Sequence, residues 1–140
     1  MTCIDNRDVP VLNPRAMSPD ADRLALKASA KINLFLEVVG CRDNGYHDIR
    51  SVIVPVSLHD RVELERHDRD ITCDMRNGAS GSGTLFALPK PGDNLAYKAA
   101  VALRDECDCG VGLRIRIDKH IPIGGGLGGG SADGAAVLAG

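Results

Sequence analysis

The chain has 140 residues, enough for one core-forming domain or for part of a larger one. Its 44% hydrophobic and 26% charged content is ordinary for a globular protein, and 17 basic against 19 acidic residues leave a formal net charge of −2. That balance, with two Tyr, two Phe and no Trp, argues against a nucleic-acid surface, and no apolar run approaches the roughly 18 residues of a membrane span.

Residues 1–23 read as a loose N-terminal tail, with Met17 as an alternative start. Asp5, Asp8 and the lack of an apolar run in the first sixteen residues do not fit a signal or transit peptide. The cysteines Cys3, Cys41, Cys73, Cys107 and Cys109 have neither Cys-x-x-Cys nor paired Cys/His spacing. They read as free thiols of a cytoplasmic protein, not as zinc ligands.

The first strong element runs from Leu24 to Val39 and alternates from Lys31 onward. Ile32, Leu34, Leu36 and Val38 are expected on one, buried, face, with Lys31, Asn33, Phe35 and Glu37 on the other. Lys31 and Asn33 thus share a strand face, where such a pair is ordinarily a solvated edge. Asp43-Asn44-Gly45 is a turn signal, because Asn and Gly tolerate positive φ. Tyr46 and His47 follow it, and a packed ring with an exposed imidazole explains them about as well as a functional pair does. Ser51 to Leu58 reads as a returning strand, edge-placed or bulged at Pro55. Arg61 to Glu65 reads as a third strand and Ile71 to Met75 as a fourth.

Asn77 to Gly83 reads as a surface loop, and Pro89 to Asp93 as a second breaker. A helix is predicted from Asn94, with Leu95, Ala99, Ala102 and Leu103 on its apolar face and Asp93 or Asn94 as N-cap. It ends by Cys109-Gly110. Val111 to Ile117 then alternates as a strand and leads into Pro122-Ile123-Gly124-Gly125-Gly126-Leu127-Gly128-Gly129-Gly130-Ser131-Ala132, which opens an Ala-rich helix. The order is that of an α+β fold.

Strand, glycine loop and helix start is the layout that gathers backbone N–H groups and a positive helix end around a phosphate. No Gly-Lys-Ser/Thr closes the loop, so it is not a P-loop. Gly124, Gly126 and Gly129 meet Gly-x-Gly-x-x-Gly, but the loop comes too late in the chain for a dinucleotide fold. Ser131 is expected to cap the helix, and Asp133 to point outward, away from the phosphates.

Pro-x-x-x-Gly-Leu-Gly-Gly-Gly-Ser resembles the ATP-binding motif of the GHMP kinases, a superfamily of small-molecule kinases. Ala30-Lys31-Ile32-Asn33-Leu34, Arg42 to His47, Asp93-Asn94-Leu95 and Ile117 to Pro122 narrow the resemblance to the members that phosphorylate a cytidine-diphosphate-bearing alcohol in isoprenoid precursor synthesis. It covers Leu26 to Gly140 and implies the GHMP N-terminal domain, like the second domain of ribosomal protein S5, over residues 24–140, incomplete and without the C-terminal GHMP domain.

The resemblance further implies ATP as phosphoryl donor, with Mg²⁺ bridging its phosphates, and Pro122 to Ala132 as the ATP-binding run. It makes Lys31 a catalytic cation and Asn33 a substrate contact. Tyr46 would stack on cytosine and His47 hydrogen-bond its edge. The family's catalytic Asp lies beyond the glycine loop, past Gly140, so this chain alone is expected to be inactive or nearly so. A nucleotide-binding remnant without catalysis, or a GHMP kinase for another alcohol, are the alternatives. The family motif often has Ser at Ala132 and usually Ala at Gly134, where glycine costs a helix about 1 kcal/mol.

Overall fold

The computed structural model describes residues 22–78 and 88–140. Four strands and two helices follow in the order β1 (Arg23–Cys41), β2 (His47–His67), β3 (Ile71–Asn77), α1 (Leu95–Cys107), β4 (Gly112–Lys119) and α2 (Gly129–Ala139). This is a mixed α+β fold. The sheet order is β1-β2-β4-β3, antiparallel except for the parallel pair β3 and β4, which α1 connects. The expected loop at Asn77 to Gly83 falls outside the described residues from position 79, as does most of the N-terminal tail.

Side-chain alternation on the strands builds the core in rows across the sheet. Leu26 faces Val62, Val62 faces Ile117, and Ile117 faces Met75; the next row is Leu24, Leu64, Ile115 and Cys73. Val62, Ile115 and Ile117 are completely buried, each contributing about 1.5–3 kcal/mol against exposure. The helices cover this face, α2 over β1 and β2 and α1 over β3, and they pack against each other. The opposite face carries ion pairs, among them Arg23–Glu65 at 2.9 Å and Arg61–Glu63 at 2.6 Å.

Three local expectations are corrected. Ser51–Leu58 and Arg61–Glu65 are one continuous strand, β2, because the intervening residues stay paired to β1. Pro55 sits there as expected, opposite Lys31 at a bulge and on the stretch of β2 that has no partner on its other side. Secondly, the outer half of β1 is not buried. Leu34 is 65% and Leu36 55% exposed, since register shifts break the alternation after Asn33. Thirdly, α1 buries Ala96 and Ala100, while Leu95 and Leu103 are largely exposed. The small face lets α1 lie close to the sheet. Its N-cap is Asn94, whose side-chain oxygen accepts from the Ala96 N–H at 2.8 Å.

Candidate active site

β4 enters the glycine loop through Lys119-His120-Ile121-Pro122, and α2 begins at Gly129. Gly124, Gly126 and Gly128 have φ of 77°, 71° and 74°, a left-handed backbone at every second residue. Side chains would strain that zigzag, which is the physical reason for glycine at these three positions. Gly128 is the N-cap of α2 and supplies no side-chain hydrogen bond. The N–H groups of the first helical turn are therefore left for an external acceptor. Ser131 lies in that first turn with its side chain exposed, and does not cap the helix as expected.

The loop borders a cavity of about 330 Å³, within the size range of small-molecule sites. Pro122 through Ser131 line it, joined by Asp93, Asn94, Leu95, Lys119 and Asp133. Ala132 is not in that lining: it packs against the core, and its N–H closes the first helical bond to the Gly128 carbonyl at 2.9 Å.

Lys31 is fastened to the loop at two points. Its N–H donates to the Leu127 carbonyl at 2.9 Å, and its side chain runs so close over Gly128 that an added Cβ there would stand 3.0 Å from Lys31 Cγ. Lys31 Nζ donates to Asn33 Oδ1 at 3.0 Å, so the strand face that carries both residues meets the loop. Tyr46 and His47 are not brought to it. Tyr46 is 74% exposed at the turn of the β1–β2 hairpin, and His47 pairs with Cys41 beside it. Ten residue steps of β1 carry the chain from Lys31 to Cys41 at that end, about 33 Å of extended strand.

Beneath the loop lies a group of charges that sequence reasoning missed. Asp60 is 0%, Asp133 1% and Lys119 2% exposed. The expected outward placement of Asp133 is wrong, because Lys119 Nζ donates to Asp133 Oδ2 at 2.8 Å and also to Asp60 Oδ2. Asp60 Oδ1 accepts the N–H groups of His120 and Ile121 at 2.6 and 2.9 Å, anchoring the entry to the loop. A buried cation bridges the two carboxylates through their Oδ2 atoms, and this pairing holds Asp133 inward. Burial pushes the Asp133 carboxyl up to about 6; Lys119 pulls it down, and Asp60 adds to the rise. The available signal was an acidic residue in β2 on the same face as Val62 and Leu64, two rows of the core.

Residues 94–140 match the family model for the GHMP kinases N terminal domain. Fold, loop and match agree in making the chain similar to the N-terminal domain of the GHMP kinases. The chain is 45% identical over 117 residues to 4-diphosphocytidyl-2-C-methyl-D-erythritol kinase of Symbiobacterium thermophilum, covering 84% of this chain and 39% of the relative. The same-named protein of Listeria monocytogenes is 42% identical over 119 residues, with 84% and 38% covered. The crystal structure of a 4-(cytidine 5'-diphospho)-2C-methyl-D-erythritol kinase superposes with TM-score 0.59 at 35% identity, over 82% of this chain and 38% of that one. Homoserine kinase from Cytophaga hutchinsonii, at 20% identity and TM-score 0.56 over 86% and 35%, shares the fold. The chain thus spans about two-fifths of the length of these relatives. Among the described residues no helix is long and apolar enough to cross a membrane.

Proposed function

We propose that this chain supplies the nucleotide-holding part of an ATP-dependent kinase acting on the 2-hydroxyl of 4-diphosphocytidyl-2-C-methyl-D-erythritol, in isoprenoid precursor synthesis. The observation that carries the reading is the joining of Lys31 to the glycine loop, through the Leu127 carbonyl and the close approach to Gly128. It sets a cation beside the N–H groups of the loop and of the first turn of α2, among which only that of Gly125 is turned to a carbonyl of the loop, that of Pro122. Phosphoryl transfer needs mainly positioning and charge neutralisation, and both are within reach of this arrangement.

In this reading the N–H groups from Gly124 to Ser131 hold the triphosphate of ATP. Lys31, oriented by Asn33, lowers the cost of negative charge on the acceptor oxygen and the transferring group. Mg²⁺ bound with ATP would supply further neutralisation of the phosphate charge. Asp133 is not the base for the acceptor hydroxyl, since it is buried and tied to Lys119. Tyr46 and His47 read the cytosine only if the hairpin curls over the loop, and the bulges of β1 are where it would bend.

The exposed position of Tyr46 and His47 favours one second reading, a GHMP kinase for another alcohol. The experiment is transfer of the ATP γ-phosphate to the cytidine-diphosphate substrate by the protein that carries this chain, with Tyr46→Ala and His47→Ala beside it. A rise in substrate KM of tenfold or more, with ATP KM unchanged, supports cytosine reading. Equal KM values point to another alcohol. ATP binding without transfer would leave a nucleotide-binding module and overturn the kinase reading.

A further inference from the structure

The charges under the loop join its two ends to the sheet. Asp60 of β2 receives the N–H groups of His120 and Ile121, where the chain enters the loop, and Lys119 Nζ binds Asp133 in the second turn of α2, where it leaves. Lys119 Nζ also lies 3.2 Å from where a Cβ on Gly129 would stand, directly under the first helical N–H groups. With both carboxylates ionised, this buried group carries one net negative charge beneath a loop built for phosphates. Asp133 borders the same cavity, and its Oδ1 is buried without a hydrogen-bond partner, although Oδ2 is fully engaged. A buried carboxylate oxygen without a donor is costly, and a proton on it removes the excess charge.

We infer that Asp133 is a positioning residue for the polyphosphate that works as its neutral acid: when the phosphates enter the loop, Oδ1 takes up a proton from solvent while Oδ2 stays on Lys119. The inference rests on the nucleotide reading of the loop. The groups around Asp133 fit it. β4 presents Lys119 and β2 Asp60; β3 presents the Cys73 thiol, held neutral because burial pushes it up to about 11. β1 brings Lys31 to the loop at Gly128, and from the α1 side the cavity is bordered by Asn94 and Asp93. Burial, with Asp60 adding to it, already holds Asp133 near 6, so arriving phosphate charge has only a short way to push it.

The test is calorimetric titration of ATP into wild type, Asp133→Asn and Asp133→Ala, in buffers of different ionisation enthalpy between pH 6.5 and 8. Wild type should take up about one proton per nucleotide through this group, and its affinity should fall about tenfold per pH unit. Asp133→Asn offers Lys119 an oxygen and the cavity an N–H, like the protonated acid. It should lose that uptake and bind ATP more tightly than wild type at pH 7.5, by roughly tenfold. Asp133→Ala leaves Lys119 one acceptor short and should bind more weakly than Asp133→Asn. Protonation of the nucleotide itself enters all three proteins equally, so the wild type to Asp133→Asn difference is the readout.

Equal pH slopes in those two proteins, or weaker binding by a folded Asp133→Asn, overturn the inference and leave the nucleotide reading standing. No ATP binding by wild type at any pH overturns both. Should the variants fail to fold, the carboxyl ¹³C resonance of Asp133 in wild type decides. At pH 7.5 it should move from the ionised to the protonated position on saturation with ATP, and an unmoved resonance overturns the inference.

Discussion

Replacing Gly128 by alanine separates the role of Lys31 from simple loop strain. Gly128 has φ 74°, and a Cβ there would stand 3.0 Å from Lys31 Cγ and 3.2 Å from Lys31 Cε. The left-handed backbone costs a non-glycine residue roughly 1–2 kcal/mol. The added methyl meets a flexible side chain and not the core, so Lys31 gives way by a few tenths of an ångström and its ammonium loses its set position over the loop. Gly45 serves as the reference, with φ 83° and nothing within 4 Å of a Cβ. Gly45→Ala has a similar backbone cost and displaces nothing. Both variants should melt lower, Gly128→Ala by about 4–8 °C. Only Gly128→Ala should lose ATP affinity, by about tenfold, the lower end of what a charge-assisted contact contributes. Nucleotide titration well below the melting temperature reads this directly. Wild-type ATP affinity in a folded Gly128→Ala would refute the argument that this contact holds the lysine on the phosphates.

Lys119→Met leaves Asp60 and Asp133 buried without their cation, a loss of about 3–5 kcal/mol. Urea unfolding at pH 8 should show a large drop in midpoint, and an unchanged midpoint would contradict the pairing. Gly134→Ala should raise stability by about 0.5–1 kcal/mol, because the new methyl meets the Leu95 carbonyl at an ordinary 3.4 Å while the helical penalty of glycine disappears. A lower melting temperature would mean that α1 and α2 tolerate no methyl between them. Stability should also depend on pH through Asp133. Its folded value of about 6 lies above the ordinary 3.8, so the folded state binds more protons between the two, and this group's contribution to stability rises as pH falls from about 7 to 4. Glu65 and Asp118 are held below their ordinary values by Arg23 and Arg76, and their contributions are lost on further acidification. Urea midpoints should therefore peak between about pH 4 and 6, and Asp133→Asn should remove the rise between pH 8 and 5.

What was legible in the sequence was local. The glycine run, the Asn94 cap and the alternation of β4 carry their meaning within a few residues, and each stands where its pattern puts it. Joining Lys31 to Leu127 needed contacts across nearly a hundred residues, and only the resemblance anticipated that they share a site. Asp60 and Lys119 were out of reach for the same reason. Neither is conspicuous alone, and antiparallel pairing of β2 with β4 makes them neighbours at the end of the core rows. Asp133 was misplaced because its charge was weighed against a phosphate without its partner in view. The outer half of β1 misled in the opposite direction, since an apolar alternation says which residues share a face and not whether anything covers it.

The central claim is that the glycine loop with Lys31 forms a polyphosphate site. It is tested most directly by calorimetric titration of ATP and AMP into the wild-type protein and into Lys31→Ala. The account predicts saturable one-to-one binding of ATP by wild type, with AMP weaker by tenfold or more because the loop grips the outer phosphates. Lys31→Ala should weaken ATP far more than AMP. Equal affinity for ATP and AMP, or ATP binding indifferent to Lys31, would contradict it.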